Sequence, residues 1–201
     1  DLRKYMESEF RFKATGKRDP KVFLRRDEPK DRSVEMVFCI DISGSMGGGK
    51  IQAAKEGLVV FLESLAELEI AHGAIAFNNR PVVMKELDKE ADEQAREAML
   101  PMLRPSGGTD DYAALQAAAQ MLERGDAEQQ IIIFLSDGQG NQKQKEAVKK
   151  LEEEYNIKVI GVGIGAGCQG VQGTYQHNLA VDDVSKLPRE LGDMLLDELM
   201  D

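Results

Sequence analysis

The sequence predicts an α/β fold, specifically a doubly wound, mainly parallel sheet with one antiparallel edge strand and helices on both faces. Two observations lead to this prediction. Short apolar runs alternate with segments whose apolar residues recur at helical spacing, which indicates parallel strands joined by helices. In addition, two neighbouring runs are separated only by Asn78-Asn79-Arg80-Pro81, a stretch whose turn chemistry suits an antiparallel hairpin.

The first half of the chain contributes three predicted strands and two predicted helices. The first strand, 34–40, is a nearly continuous apolar run, as expected of a strand that is buried on both faces. A glycine-rich turn leads to an amphipathic helix at about 50–69, whose apolar residues form one stripe. The hairpin strands are 74–77 and 82–84, and a solvated helix is predicted at 86–102.

The second half continues the alternation after a Pro-Ser-Gly-Gly break at 105–108. The expected elements are, in chain order, a helix at about 110–124, a strand at 131–135, a helix at about 143–155, a strand at 157–163, a short apolar piece at 178–181 and a closing helix at 184–200. Doubly wound folds bind ligands outside the carboxyl ends of their parallel strands. Functional residues are therefore expected where these strands end.

Length and composition fit one domain with a single core, since 42% of the 201 residues are hydrophobic. Residues 1–33 are dense in Lys, Arg, Asp and Glu and are predicted to form a charged N-terminal arm, with the domain at 34–201. The net charge of −10 argues against nucleic acid as a partner, because affinity for phosphate backbones comes from Lys and Arg.

Two further features bear on the cellular location. No apolar run approaches the roughly 18 to 20 residues that a membrane helix needs, so membrane insertion is not expected. The two cysteines, Cys39 and Cys168, provide neither a disulfide framework nor a CxxC metal pattern. This cysteine content favours a reducing compartment and hence a cytoplasmic location.

Five oxygen-bearing side chains are expected to fall at one edge of the predicted sheet. Asp41, Ser43 and Ser45 follow the first strand, Thr109 follows a glycine pair, and Asp137 follows the apolar strand in the second half. Carboxylate and hydroxyl oxygens suit a hard cation, so we predict a site for Mg²⁺ (or Mn²⁺). Two carboxylates with neutral hydroxyls leave such an ion attractive to an outside anion. The predicted partner is therefore a protein that presents an Asp or Glu.

The pattern Asp41-x-Ser43-x-Ser45, with Thr109 after two glycines and Asp137 after an apolar strand, resembles the metal-ion-dependent adhesion site (MIDAS) of von Willebrand factor A domains. The likeness spans about 34–200, and it implies a Rossmann-like fold. It also implies that the three hydroxyl residues touch the metal directly or nearly so. Asp41 and Asp137 would hold the metal partly through water.

Within this superfamily the chain is similar to intracellular prokaryotic members, such as chelatase subunits and the companions of MoxR-type AAA+ ATPases. Ser136-Asp137-Gly138 and the Leu187-Pro188 pair before the last helix carry that similarity. It implies a place in a larger protein or an AAA+ ATPase complex. The resemblance as a whole implies protein recognition, and the chain is not expected to be an enzyme.

Other functions remain open at this level. Gly44 to Lys50 matches the nucleotide-binding pattern GxxxxGK, but Ile51 stands where a P-loop needs Ser or Thr for Mg²⁺. Phosphotransfer through Asp41 would call for a second acid at position 43 and a Lys near another strand end, and neither is evident. A third alternative is a von Willebrand factor A scaffold whose metal is purely structural.

Overall fold

The computed structural model describes residues 33–90, 93–138 and 141–200. The strands are β1 (Val34–Asp41), β2 (Ala71–Phe77), β3 (Pro81–Lys85), β4 (Gln129–Ser136), β5 (Ile157–Ile164) and β6 (His177–Val181). The helices are α1 (Gly49–Glu67), α2 (Glu93–Met99), α3 (Asp111–Leu122), α4 (Gln142–Glu154) and α5 (Leu187–Met200). The predicted arm lies outside the described residues except for Ser33.

All six strands belong to one sheet with the order β3-β2-β1-β4-β5-β6. Every neighbouring pair is parallel except β2 and β3, which form the antiparallel hairpin at one edge. The predicted fold class is therefore confirmed, including its single antiparallel edge strand.

Strand β1 shows how an apolar run produces a two-faced core. Successive side chains of a strand point to opposite faces, so Met36, Phe38 and Ile40 pack into one apolar cluster, and Val37 and Cys39 pack into another. All five side chains are fully buried. Both faces of β1 must consequently be covered by helices.

The two faces are covered by different helices. Helices α1 and α5 pack on the face that contains Phe38, whose ring stacks on Phe61 of α1 with centroids 4.7 Å apart. Helices α3 and α4 pack on the other face, where Phe77 and Phe134 lie 4.8 Å apart. Aromatic pairs at this spacing add to the stabilisation from apolar burial. The sheet is thus the rigid middle layer that holds the strand ends in place.

The connections place a crevice between β1 and β4. The chain leaves β1 to form β2 on one side and returns to form β4 on the other, so the strand order reverses at this point. The register pairs Ile40 with Leu135, which brings Asp41 and Ser136 to the carboxyl ends of adjacent strands. Crevices at such switch points are the usual ligand sites of open α/β sheets.

The predicted helix at 86–102 is wrong in its extent. The Lys89 N–H donates to the Glu86 carbonyl at 3.4 Å, which makes a turn before α2 begins at Glu93. Helix α2 then gives way to a 3₁₀ turn, Leu100–Met102, because the Pro101 ring cannot continue an α-helix. Residues 91–92 lie outside the described ranges. The apolar piece at 178–181 is part of a sixth strand, β6, which pairs with β5.

Two observations bear on the predicted location, namely the hydropathy of the helices and the state of the two cysteines. Within residues 33–90, 93–138 and 141–200, no helix is long and apolar enough to cross a membrane. Cys39 and Cys168 are both buried thiols without a disulfide. Burial raises the pKa of the Cys39 thiol well above its ordinary value, so this side chain behaves as a small apolar core residue.

Candidate metal site

Asp41 ends β1 and is almost completely buried, with 1% of the residue exposed. Its Oδ1 accepts a hydrogen bond from the Ser43 N–H at 2.7 Å, and its Oδ2 accepts one from the Ser136 hydroxyl at 3.0 Å. Burial raises the pKa of Asp41 and the negative charge of Asp137 adds to the rise, whereas the hydrogen bonds from Ser43 and Ser136 oppose it. These two hydrogen bonds therefore hold the side chain in one orientation.

Ser43, Ser45 and Asp137 form a connected line of oxygens beside Asp41. The Ser43 and Ser45 hydroxyls lie 3.1 Å apart, and the Ser45 hydroxyl donates to Asp137 Oδ1 at 2.9 Å. Ser45 belongs to a short 3₁₀ turn, Gly44–Met46, which folds the chain back over the strand end. Residues 92 positions apart in the chain thus meet at one edge of the sheet.

Thr109 lies in the loop that precedes α3, with an exposed side chain. Hydrogen bonds on both sides position this loop: the Asn79 side chain accepts from the Gly108 N–H at 2.9 Å, and the Asp110 N–H donates to the Asn78 carbonyl at 2.7 Å. Within the described residues, the Thr109 hydroxyl forms no hydrogen bond to the other four predicted ligands. The structure therefore connects Asp41, Ser43, Ser45 and Asp137, and it places Thr109 on an adjoining loop.

The same loop is bound directly to the turn that carries the serines. The Gly44 N–H donates to the Gly107 carbonyl at 3.1 Å, and the Ser106 N–H donates to the Ile42 carbonyl at 2.8 Å. Gly107 has φ of +73°, a conformation that favours glycine, and a Cβ there would approach the Asn79 amide nitrogen to 2.9 Å. Glycine at position 107 thus suits both the left-handed backbone conformation and the close contact of this loop with Asn79 of the hairpin turn.

Lys50, in the first turn of α1, contributes a cation to this edge. Its ammonium donates to Asp137 Oδ2 and also to the Ser45 carbonyl, at 3.2 Å from the latter. From the sequence alone no lysine is evident near another strand end. The structure corrects this, because Lys50 follows β1 but reaches Asp137, the residue after β4. The proximity depends on the tight turn between β1 and α1.

Asp111, the first residue of α3, adds negative charge to the region. Burial raises the pKa of Asp111 to about 6, and the charges of Asp41 and Asp110 contribute to the rise. Its Oδ1 is buried and accepts no hydrogen bond within the described chain. Buried carboxylates without enough partners favour the approach of a cation.

The donor chemistry of this edge fits a hard divalent cation. It offers hydroxyl and carboxylate oxygens without sulfur or imidazole, which matches the preference of Mg²⁺ or Mn²⁺. The Lys50 ammonium, which donates to Asp137, already acts as a stand-in cation there. No cluster of three or more His, Cys, Asp or Glu side chains in metal-binding arrangement occurs in the described chain, so a metal here would depend on the hydroxyls.

Sequence reasoning missed two residues at this site. Ser136 was noted only as the neighbour of Asp137, yet its hydroxyl orients the Asp41 carboxylate. Lys50 was considered only as a phosphate-binding residue, and nothing in its local sequence indicated a contact with Asp137. The position of Ser136 could have been anticipated, because parallel neighbours bring the last residues of β1 and β4 together.

Replacing Asn79 with Ala is expected to weaken Mg²⁺ binding about ten-fold without unfolding the protein, because residues that orient metal ligands commonly contribute this much affinity. The physical reason is the loss of the acceptor that holds the Gly108 N–H and thereby the Thr109 loop. Isothermal titration calorimetry measures the change. Gln120→Ala removes an exposed amide from α3 and serves as the control. Equal affinities for the Asn79 variant and the native protein would show that this anchor does not position the loop.

The sequence is similar to a known domain family and to two longer proteins. The profile of the von Willebrand factor type A domain matches residues 36–139, a range that contains all five predicted ligands. Protein YojO of Bacillus subtilis (strain 168) is 26% identical over 136 residues, with coverage of 61% of this chain and 21% of that protein. Inter-alpha-trypsin inhibitor heavy chain H4 of Sus scrofa is 29% identical over 147 residues, with coverage of 64% and 15%. The chain therefore spans less than a quarter of either relative.

A solved structure supports the same fold. A von Willebrand factor type A protein from Catenulispora acidiphila superposes with a TM-score of 0.68 at 21% sequence identity. The match covers 82% of this chain and 42% of that chain. At this identity the likeness concerns the fold, and the chemistry of the site rests on the residues described above.

Proposed function

The chain belongs to the von Willebrand factor type A domain family, and from this we propose that it is an interaction module that binds an Asp or Glu of a partner protein through Mg²⁺ (or Mn²⁺). Domains of this family commonly mediate protein interactions. The proposed metal ligands are Asp41, Ser43, Ser45, Thr109 and Asp137. The metal would supply a positive centre for the partner's carboxylate, and the proposal involves no enzymatic step.

The observation that carries the proposal is the connected set of oxygens at the switch point between β1 and β4. The hydroxyls of Ser43 and Ser45 and the carboxylate of Asp137 are already hydrogen-bonded to one another, so their oxygens lie close together before an ion binds. Such preorganisation lowers the entropic cost of binding. The site also lies at the sheet edge, where the carboxyl ends of β1 and β4 meet.

The individual residues support different roles. Both oxygens of Asp41 are engaged by the Ser43 N–H and the Ser136 hydroxyl, which suits an aspartate that holds a metal through water. The Ser43 and Ser45 hydroxyls suit direct contact. Asp137, whose two oxygens are engaged by the Ser45 hydroxyl and the Lys50 ammonium, suits contact partly through water. Thr109 sits on the adjoining loop, from which it would complete the protein's share of the ligands. An Asp or Glu from the partner would then fill the remaining position.

Nucleotide binding at the Gly44 to Lys50 segment is disfavoured by the packing of the next residue. Ile51 is 8% exposed and lies in the apolar cluster under α1, so no hydroxyl stands where a P-loop holds its Mg²⁺. The Lys50 ammonium is bound to Asp137 and the Ser45 carbonyl. These contacts favour the interaction module over the nucleotide enzyme.

A pull-down with the purified protein tests the proposal. Lysate of the source organism is passed over the immobilised protein in Mg²⁺, in EDTA, and in Mg²⁺ with the Asp41→Asn variant, after circular dichroism has shown that each sample is folded. We expect a protein that is captured only by the native protein in Mg²⁺. Loss of capture after replacement of an acidic residue on the captured protein would identify the carboxylate that reaches the metal.

Capture that survives both EDTA and Asp41→Asn would contradict the proposal. It would favour the scaffold with a structural metal and would place the working surface away from this edge. Association with an AAA+ ATPase and a cytoplasmic location stay predictions, and the identity of the captured protein bears on both.

A further inference from the structure

We propose that Lys50 is a tethered cation that occupies Asp137 in the metal-free protein, competes with the divalent ion for that carboxylate, and so sets the affinity of the site. This inference rests on the proposed function, because it concerns the same metal site. It adds a regulatory element that is built into the fold. The juxtaposition of an α1 lysine with the aspartate after β4 is the observation behind it.

Two hydrogen bonds hold the Lys50 ammonium, and packing holds its aliphatic stem. The Lys50 ammonium donates to Asp137 Oδ2 and to the Ser45 carbonyl. Its aliphatic stem lies beside Gly165, where an added Cβ would come within 3.0 Å of the Lys50 Cε. Gly165 has φ of +71°, a conformation that favours glycine, and the absence of a Cβ leaves room for the stem. The contact is therefore built by packing as well as by charge.

The charge balance explains why a cation is needed here without a metal. The Asp137 side chain is only 5% exposed, and the neighbouring Asp41 is buried as well. Two nearby carboxylates in a region of low dielectric repel each other strongly, and a positive charge beside them offsets this repulsion. Lys50 provides that charge, and it is the one cationic partner of Asp137 among the described residues.

A divalent ion and the ammonium cannot share Asp137 in the same arrangement. The Ser45 hydroxyl already donates to Oδ1 and Lys50 donates to Oδ2, so an ion bound to this carboxylate would meet the lysine's positive charge at close range. Binding of the ion must therefore displace the ammonium. The Lys50 side chain is 26% exposed, which leaves it a path to solvent.

The Lys50→Met variant tests the competition, because methionine keeps an unbranched apolar stem and removes the charge. We expect its dissociation constant for Mg²⁺, measured by isothermal titration calorimetry, to fall at least about ten-fold. In EDTA its thermal midpoint should lie below that of the native protein, since Asp137 loses its counter-ion. The matched control is Lys55→Met, which removes the same charge from the same helix and should leave the dissociation constant within about two-fold.

A second variant, Lys50→Gln, keeps the test decisive if Lys50→Met fails to fold. Lys50→Gln keeps a donor for Asp137 and the Ser45 carbonyl but has no charge, and it carries the same expectation of tighter Mg²⁺ binding. An unchanged or weaker affinity in both variants, with Mg²⁺ binding intact in the native protein, would overturn the role of Lys50 and leave the proposed function standing. Absence of Mg²⁺ binding from the native protein and from both variants would instead overturn the proposed function and the inference with it.

Discussion

Asp41→Asn is expected to abolish the stabilisation of the protein by Mg²⁺ while leaving the metal-free fold at least as stable as the native one. At a Mg²⁺ concentration of 100 times the dissociation constant, a ligand that binds only the folded state adds about 2.7 kcal/mol to the free energy of unfolding. The variant should lose this increment. Its amide can still accept from the Ser43 N–H and donate toward the Ser136 hydroxyl, so the local hydrogen bonds survive.

The metal-free part of this expectation follows from the sign of the pKa shift. Burial raises the pKa of Asp41 above its unfolded value, so the ionised carboxylate costs folding free energy when no metal is bound. That cost is absent at pH values below the ordinary Asp range and grows as the pH rises toward the raised pKa. The stability of the native protein in EDTA should consequently decline over this window, and Asp41→Asn should lack that component.

Urea unfolding at neutral pH in Mg²⁺ and in EDTA measures the loss of the Mg²⁺ increment, and urea unfolding in EDTA over a series of pH values measures the pH-dependent component. Asp126→Asn makes the same chemical change at an exposed position just before the amino end of β4, away from the candidate site. This variant should retain the full response to Mg²⁺. An Asp41→Asn protein that Mg²⁺ still stabilises as strongly as the native one would show that the ion does not bind at this edge.

Gly163→Ala is expected to destabilise the protein by about 3 kcal/mol or more, at or beyond the upper end of ordinary overpacking. A Cβ on Gly163 of β5 would lie 2.2 Å from the Cys168 carbonyl oxygen and 2.9 Å from the Cys168 carbonyl carbon. These atoms belong to the backbone of the turn that follows β5, so no side-chain rotation relieves the overlap. Either β5 or the turn must move as a unit.

The matched control is Gly57→Ala in the middle of α1. A Cβ there would lie 3.5 Å from Leu191 Cδ2 of α5, which is an ordinary contact, and Ala is the better helix former by roughly 0.5–1 kcal/mol. In urea unfolding, the added methyl group should therefore stabilise the protein at position 57 and strongly destabilise it at position 163. A Gly163→Ala protein as stable as the native one would mean that the turn at Cys168 is not packed against β5 as described.

The fold could be predicted from the sequence because its elements are coded locally. The apolar run ending at Asp41 and the run ending before Ser136 each have the length and composition of a strand buried on both faces. The helix at 86–102 was predicted too long, because charged residues with interspersed Ala, Met and Leu suit a turn as well as a solvated helix. The turn at Glu86 and the break at Pro101 decided its bounds.

The candidate site was predictable in part for the same reason. Asp41, Ser43, Ser45 and Asp137 follow parallel strands, so their meeting at one edge is a consequence of the fold class. The three-dimensional position of Thr109 was not coded in that way. It depends on Asn78 and Asn79, which belong to the hairpin turn and hold the Thr109 loop by hydrogen bonds to Gly108 and Asp110.

By itself, the sequence determined most of the strands and helices and the oxygen-bearing residues that follow β1 and β4, because hydrophobic periodicity and chain order are local properties. Only the tertiary structure decided that Lys50 neutralises Asp137 and that the Ser136 hydroxyl orients Asp41. These pairs are 87 and 95 positions apart in the chain. Their contacts arise from the reversal of strand order between β1 and β4, which no local pattern records.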